Sequence, residues 1–421
     1  METNKKTIIQ ESGSSSPTSV VHNLSPTKKV VVGIQFLFVA FGATVLVPLL
    51  VGLDPSTALF TAGIGTLLFH LVTKGKVPIF LGSSFAFIAP IVAATKMYGM
   101  PGTLGGLIGV ALVYFAMAAL VKWQGISFIN RLFPPIVVGP VIMLIGLSLA
   151  HNGVDMAKTC WPLALIALCT AIVVTMFAKG LLKLIPIFAA ILVGYICALI
   201  FFPELFVTDG VSKLEAIKAA NWFALPKLQP IAFKWEAIVY MIPVAIAPVI
   251  EHIGDIYVVN TVAKKNFVED PGLHRTLLGD GLACAVAGLL GGPPVTTYSE
   301  VTGAMSLTKI TLPVVMRIAA ITGIIFSMIG KVSAILGSIP QAILGGVMLL
   351  LFGTIASAGF TNLINNCVNM NKTRNVIIAS LILTVGIGGA VLQAGEFSLN
   401  GIGLGAVVGV FLNLILPDRS E

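Results

Sequence analysis

Only 10% of the 421 residues are charged, and most of those stand between long apolar runs. A soluble domain carries about 25% charged residues. A chain this poor in charge cannot cover a globular surface with polar side chains, so the solvent around most of it must be lipid. A spanning helix takes about 20 apolar residues, which leaves room here for roughly fourteen or fifteen spans with short loops. About fourteen apolar runs are present, from 31–52 to 400–416. Two of them, near 80–95 and 294–308, are short and broken by Gly, Pro, Ser and Thr.

The formal net charge is +8. On a soluble protein that excess would suggest nucleic acid. Here the basic residues recur in alternate loops: Lys74 and Lys76, Lys122 and Arg131, Lys179 and Lys183, Lys264 and Lys265, Lys372 and Arg374. A bias of this kind marks the cytoplasmic side. The expectation is a multi-pass protein of the plasma membrane with both termini in the cytoplasm, the lipid bilayer as its surroundings and no nucleic-acid partner. Arg317, inside the eleventh run, is placed near a cytoplasmic end from which it can snorkel. Met1 to Thr27 is polar, lacks the apolar core of a signal peptide and reads as a disordered tail. Cys160, Cys169, Cys197, Cys284 and Cys367 lack ligand spacing and read as small packing residues.

A repeat is visible. Pro134 and Gly139 open a span containing Leu144-Ile145-Gly146, and Pro340 and Gly345 open one containing Leu350-Leu351-Phe352-Gly353. Gly82-Ser83-Ser84-Phe85 likewise precedes Val295-Thr296-Thr297-Tyr298 by about 213 residues. Each pair is seven spans apart, so the two halves run through the bilayer in opposite senses. That is the inverted-repeat plan of secondary transporters, with the site at the midplane where helices are broken.

Four acidic residues fall inside or at the edge of apolar runs: Glu251, Asp255, Asp280 and Glu300. Charge at the bilayer centre is expensive, so each is a functional candidate. Glu251 and Asp255 are four apart, on one helix face. Two carboxylates this close in a low dielectric resist being charged together, the property a proton-coupled carrier needs. The plainer alternative is a structural acid bonded to neighbouring backbone. Pro243 and Pro248 suggest a bend just before the pair. Val295-Thr296-Thr297-Tyr298 favours an extended segment, and extended backbone at membrane depth must pair or line a cavity. Ser83-Ser84-Phe85-Ala86-Phe87 has the same character, so the two are expected to pair and then turn into short helices whose N-terminal amides face the site. Glu300 would accept from N–H groups. A planar ligand alternating N–H and C=O fits, with Phe85 or Tyr298 either packing on its face or simply filling space. His252 reads as a core histidine. No HExxH, P-loop, GxSxG or dinucleotide fingerprint is present, and no cofactor or metal is expected.

These residues carry a resemblance. Glu300 to Lys309, Glu-Val-Thr-Gly-Ala-Met-Ser-Leu-Thr-Lys, is similar to the signature of the nucleobase–cation symporter family: Gln, Glu or Pro, then Asn-x-Gly, four residues, Thr, and a basic residue or Gly. Gln35 to Pro48, Gly82 to Phe87, Glu251-His252-Ile253-Gly254 and Asp270 to Arg275 resemble the bacterial uracil permeases of that family. The resemblance runs from about 30 to 416. It implies an all-α polytopic fold of seven plus seven inverted spans. A cytoplasmic tail covers 1–29 and a core domain 30–130 and 236–332. A gate domain covers 131–202 and 333–416, an extracellular connection 203–235, and a second tail 417–421. A homodimer is implied. So is uracil as substrate, held by Glu251 and Glu300 and by the backbone amides of Phe85 and Ser299. Three departures stand out. Val301 replaces the signature Asn. Asp255 stands where uracil permeases often carry His and xanthine relatives tend to carry Asp. Ser299 stands where Gly is usual.

The expected function is import of uracil by proton symport, with Glu251, Asp255 and Asp280 in the coupling and sodium as the other possible ion. A xanthine or purine carrier is the near alternative, favoured by Asp255 and opposed by Glu300. An inorganic-anion carrier is opposed by the buried carboxylates. A channel needs a continuous polar pore, which no span supplies, and an enzyme needs a nucleophile–base or metal arrangement, which is absent.

Overall fold

In lipid every backbone N–H and C=O must be satisfied internally, so apolar runs become helices. The structure, a computed structural model, describes residues 24–179, 182–208, 211–394 and 397–417. In the first half these form α1 (Pro26–Val51), α2 (Pro55–Val72), β1 (Leu81–Ser83), α3 (Ile88–Gly106), α4 (Ile108–Gln124), α5 (Ile126–Leu132), α6 (Pro135–Ala157), α7 (Trp161–Phe177) and α8 (Pro186–Phe201). A connection follows with β2 (Val207–Thr208), β3 (Val211–Ser212) and α9 (Lys213–Ala219). The second half holds α10 (Trp235–Val244), α11 (Ile246–Ala263), α12 (Leu273–Leu289), β4 (Val295–Thr297), α13 (Ser299–Thr308), α14 (Pro313–Ser327), α15 (Gly330–Ser338), α16 (Gln341–Asn365), α17 (Thr373–Ile387), β5 (Val391–Ala394), β6 (Phe397–Asn400) and α18 (Gly401–Ile415).

Many helix starts are set by proline in the first turn, where its missing N–H costs nothing: α1, α2, α6, α7, α8 and α14. Among the described residues, four single helices and the α10–α11 pair are long and apolar enough to cross a membrane, a bent pair (43°) adds a sixth span, and five more apolar helices are shorter. Gly99, at φ +74°, puts a kink inside α3. The α10–α11 span is interrupted at Ala245, two residues after Pro243. This element order accommodates the fourteen expected segments.

The helices pack in two groups. In one, α2 lies against α12 and α14, α4 against α12, and α1 against α14. In the other, α16 lies against α6, α7 and α8, and α17 packs on α6 and α18. The α6–α16 pair carries the inverted repeat openly. A Cβ on Gly139, near the start of α6, would meet Leu363 and the Gly359 carbonyl near the end of α16. A Cβ on Gly345, near the start of α16, would meet Ala157 at the end of α6. Gly146 faces Phe352 and Ala356, and Phe352 is its counterpart at the repeat offset of 206. The two helices are therefore antiparallel and meet at equivalent points, as two halves of opposite sense require.

Three expectations need adjustment. The first tail, 1–29, lies largely outside the described residues, and Pro26 to Lys29 already form the opening turn of α1. The extended part of the first half is Leu81–Ser83, whereas Phe85–Phe87 is a 3-10 turn leading into α3; pairing with β4 fixes the strand and the next residues start the half-helix. The expected boundaries at 130 and 332 fall inside short helices, α5 and α15. On the side of the 203–235 connection, Phe223 bridges Ile329, and Lys331 donates to the carbonyls of Ile217 and Lys218 (both 3.2 Å), tying that connection to α15.

Candidate functional site

The two broken spans cross through an antiparallel pair, Leu81 with Thr297, Gly82 with Thr296 and Ser83 with Val295. Every residue of both strands is buried, so the pairing satisfies backbone that lipid could not. Side chains brace it. Thr66 Oγ1 accepts from the Leu81 N–H (2.9 Å) and Cys284 Sγ donates to the Val295 carbonyl (2.9 Å). The Ser84 N–H donates to the Pro294 carbonyl (2.8 Å). A Cβ on Gly82 would stand 2.3 Å from the Tyr298 ring, so only glycine lets that ring lie across the strand.

Each strand hands over to a helix pointing away from the crossing. Ser84 precedes the Phe85–Phe87 turn and Tyr298 precedes α13, and neither side chain caps the helix it introduces. The leading amides of the two helices, those of Phe85 and Ser299, are therefore not taken up by a side-chain cap, and helix N-termini are natural partners for acceptor oxygens.

These ends open on a cavity of about 1370 Å³ lined by Phe85, Glu251, Asp255, Ser299 and Glu300 near the crossing. Among the described residues its lining holds three carboxylates and no Lys, Arg or His. Glu251 projects from α11 and Glu300 from the first turn of α13. No hydrogen bond or ion pair within the described residues engages the Glu251 carboxylate. Phe85 stands edge-on to Phe352 of α16, with centroids 5.8 Å apart and planes at 90°, so the two helix groups meet at the cavity.

Asp255 is 6% exposed, and both of its oxygens are engaged: Oδ2 accepts from Thr297 Oγ1 and Oδ1 from Ser299 Oγ, each at 2.7 Å. Two departures from the family pattern, Asp255 and Ser299, are thus bonded to each other. Tyr298 also lines the cavity, but as a braced side chain. It is 4% exposed, its hydroxyl donates to the Ser83 carbonyl (3.0 Å) and accepts from Thr44 Oγ1 (3.3 Å). Strand alternation is the reason: Thr297 and Ser299 point one way along the segment and Tyr298 the other. Asp280 is not brought to the cavity. It is fully buried with His252, Nδ1 to Oδ2 at 3.2 Å, and His252 sits edge-on to both Phe69 and Tyr114.

Sequence reasoning missed the mouth. Asn130, Asn260, Asn362, Asn365 and Asn366 line its far end, with Tyr257 donating to Asn130 Oδ1 (3.0 Å). The signal was present as asparagines gathered at the ends of three runs beside Arg131, Lys264 and Lys372, but nothing in the sequence shows that three separate ends converge.

The sequence pattern of the Permease family, which covers xanthine and uracil permeases, matches residues 27–395. A probable uracil permease of Haemophilus influenzae is 48% identical over 414 residues, covering 96% of this chain and 98% of the relative. The uracil permease of Bacillus caldolyticus is 44% identical, covering 93% of each. That of Escherichia coli K12 is 39% identical, covering 91% and 90%. The transmembrane domain of a cyanobacterium bicarbonate transporter, BicA, superposes with a TM-score of 0.64 at 15% identity, covering 94% of this chain and 98% of that one. At that identity the likeness concerns the fold alone.

Proposed function

The chain belongs to the xanthine and uracil permease family of membrane transporters, and on that premise we propose that it imports uracil across the plasma membrane by proton symport. The observation that carries the reading is the acidic cavity set against two uncapped helix ends. Uracil offers N–H groups and carbonyl oxygens in alternation around a flat ring. The Glu300 carboxylate and the carbonyl oxygen of a protonated Glu251 accept from the N–H groups, the amides of Phe85 and Ser299 donate to the oxygens, and Phe85 packs on the ring. The names of the relatives support the substrate.

Glu251 carries the coupled proton. It faces the cavity without a hydrogen-bond partner among the described residues, and a neutral Glu251 crosses apolar surroundings at far lower cost than a charged one. Glu251 is protonated from outside and uracil docks. The group holding α1–α4 and α10–α14 then shifts as a core against the gate of α6–α8 and α16–α18, and both cargoes leave inside. The asparagines at the cavity mouth are near neighbours in sequence of Arg131, Lys264 and Lys372. The bias of basic residues supports assigning this side to the cytoplasm, and with it an inward-facing state and two cytoplasmic termini. A homodimer in the membrane completes the proposal. An anion carrier built on this fold is disfavoured, because three carboxylates repel anions. The purine reading leaned on Asp255, whose oxygens are taken by Thr297 and Ser299.

The test is radiolabelled uracil uptake in proteoliposomes under an inward proton gradient, with xanthine, hypoxanthine and thymine as competitors and sodium replaced by choline. Expected is accumulation above equilibrium that a protonophore abolishes, sodium removal leaves intact and pyrimidines alone compete. Xanthine uptake without uracil uptake overturns the substrate, and loss of uptake in choline overturns the proton. Full proton-driven accumulation by Glu251→Gln removes its coupling role.

A further inference from the structure

We propose that Asp255 is a positioning residue: it replaces the missing N-cap of α13 from outside the helix, so that the first amide of α13, that of Ser299, is held in place yet left free for the ligand. An ordinary N-cap Ser, Thr or Asp occupies the amide two or three residues ahead, and so removes the donor a ligand would use. At α13 the N-cap position is Tyr298, whose side chain makes no such bond. The helix start is held laterally instead. Thr297, last residue of β4, and Ser299, first residue of α13, both donate to Asp255 on α11 (2.7 Å each). Tyr298 between them donates to the Ser83 carbonyl on the opposite side. Three consecutive residues are thus anchored in alternate directions, and none of the bonds uses an amide of α13. The anchor is buried and its acceptor capacity is directed to two hydroxyls, so Asp255 shapes the pocket without being the group that meets the substrate or carries its proton.

The geometry separates this role from proton transfer. Asn at 255 still offers one oxygen and one NH2 group, and a serine or threonine hydroxyl can accept as well as donate. It therefore keeps the anchor while abolishing titration. Ala removes both.

Two measurements on the full-length protein in nanodiscs and proteoliposomes decide the matter. In hydrogen exchange, Asp255→Ala speeds the amides of residues 302–304, the first to be bonded within α13, by about tenfold or more, the loss of one to two buried hydrogen bonds. Asp255→Asn stays within about threefold of the wild type. In transport, which rests on the uracil reading above, Asp255→Ala raises KM about tenfold. The Thr297→Val/Ser299→Ala double variant reproduces that loss and adds little to Asp255→Ala, as members of one bonded unit should. Asp255→Asn retains uphill, protonophore-sensitive accumulation. Unchanged exchange in Asp255→Ala overturns the proposal. So does an Asp255→Asn protein that keeps its exchange protection but equilibrates uracil instead of concentrating it, since the carboxylate would then be carrying the proton. If the wild type takes up no uracil, the functional reading falls and the exchange result alone still decides the anchoring.

Discussion

Between α6 and α16 the chain is joined by small residues and backbone contact; between β1 and β4 it is joined by hydrogen bonds. A Cβ on Gly146 would come 2.5 Å from the Phe352 carbonyl oxygen, and one on Gly346 2.1 Å from that of Ala164 on α7. In a bilayer the tails are as apolar as the side chains, so close packing of this sort supplies much of the association. At the crossing the close packing is accompanied by a set of directed bonds from Thr44, Thr66, Cys284, Thr297, Tyr298 and Ser299. The first kind of joint is nonspecific in chemistry but demanding in shape. The second fixes orientation at a point where free amides and carboxylates must be aimed. A carrier needs both, a stiff wall and an aimed site.

The contrast makes graded predictions. The largest effect belongs to the wall: Gly146→Leu drives a side chain into backbone that cannot yield, with an overpacking cost of about 3 kcal/mol or more. It should appear as loss of monodisperse protein in size-exclusion chromatography. If Gly146→Leu folds and transports normally, backbone contact is not what holds the wall. Next comes the aimed site. Glu300→Gln removes a charge-assisted acceptor worth about 1.5–3 kcal/mol, so uracil binding by calorimetry should weaken about 10- to 100-fold while the melting temperature stays near that of the wild type. A large drop in melting temperature would move Glu300 from recognition to structure. The smallest effect tests a single brace. Tyr298→Phe leaves the Ser83 carbonyl without its donor at about 1 kcal/mol, read as a lower midpoint in thermal unfolding with uracil uptake retained. Loss of uptake at unchanged stability would instead put the Tyr298 hydroxyl in the transport pathway.

How much of this the sequence disclosed follows the same division. The wall was legible because Pro134 and Gly139 recur as Pro340 and Gly345 and because apolar runs leave the backbone little choice but helix. The crossing was legible in outline, since Val-Thr-Thr beside two prolines and Gly82-Ser83 resist helix at membrane depth, and Glu251, Asp255 and Glu300 do reach the cavity. What could not be read was direction. Tyr298 and Asp255 are both polar residues near the site, yet one turns into the protein and the other braces a helix start, because the facing of a three-residue strand is set by a partner 214 positions away. Asp280 looked equivalent to Asp255 in sequence, and only the packing of α12 against α11 turns it toward His252. The asparagine-lined mouth was hidden for the same reason, being assembled from three distant helix ends.

The strand pair also has a consequence for how the chain is made. Gly82 leaves the ribosome 214 residues before Thr296, its partner, which at about 5–20 residues per second is an interval of roughly 10–40 s. Throughout it the first strand has unpaired backbone that hydrocarbon will not accept. The early half must therefore wait against the insertion machinery or beside water until the late half arrives. A chain stopped after α8 is an orphan of biogenesis, suited to quality-control proteolysis and not to assembly, and the timing of synthesis becomes part of what folds this protein.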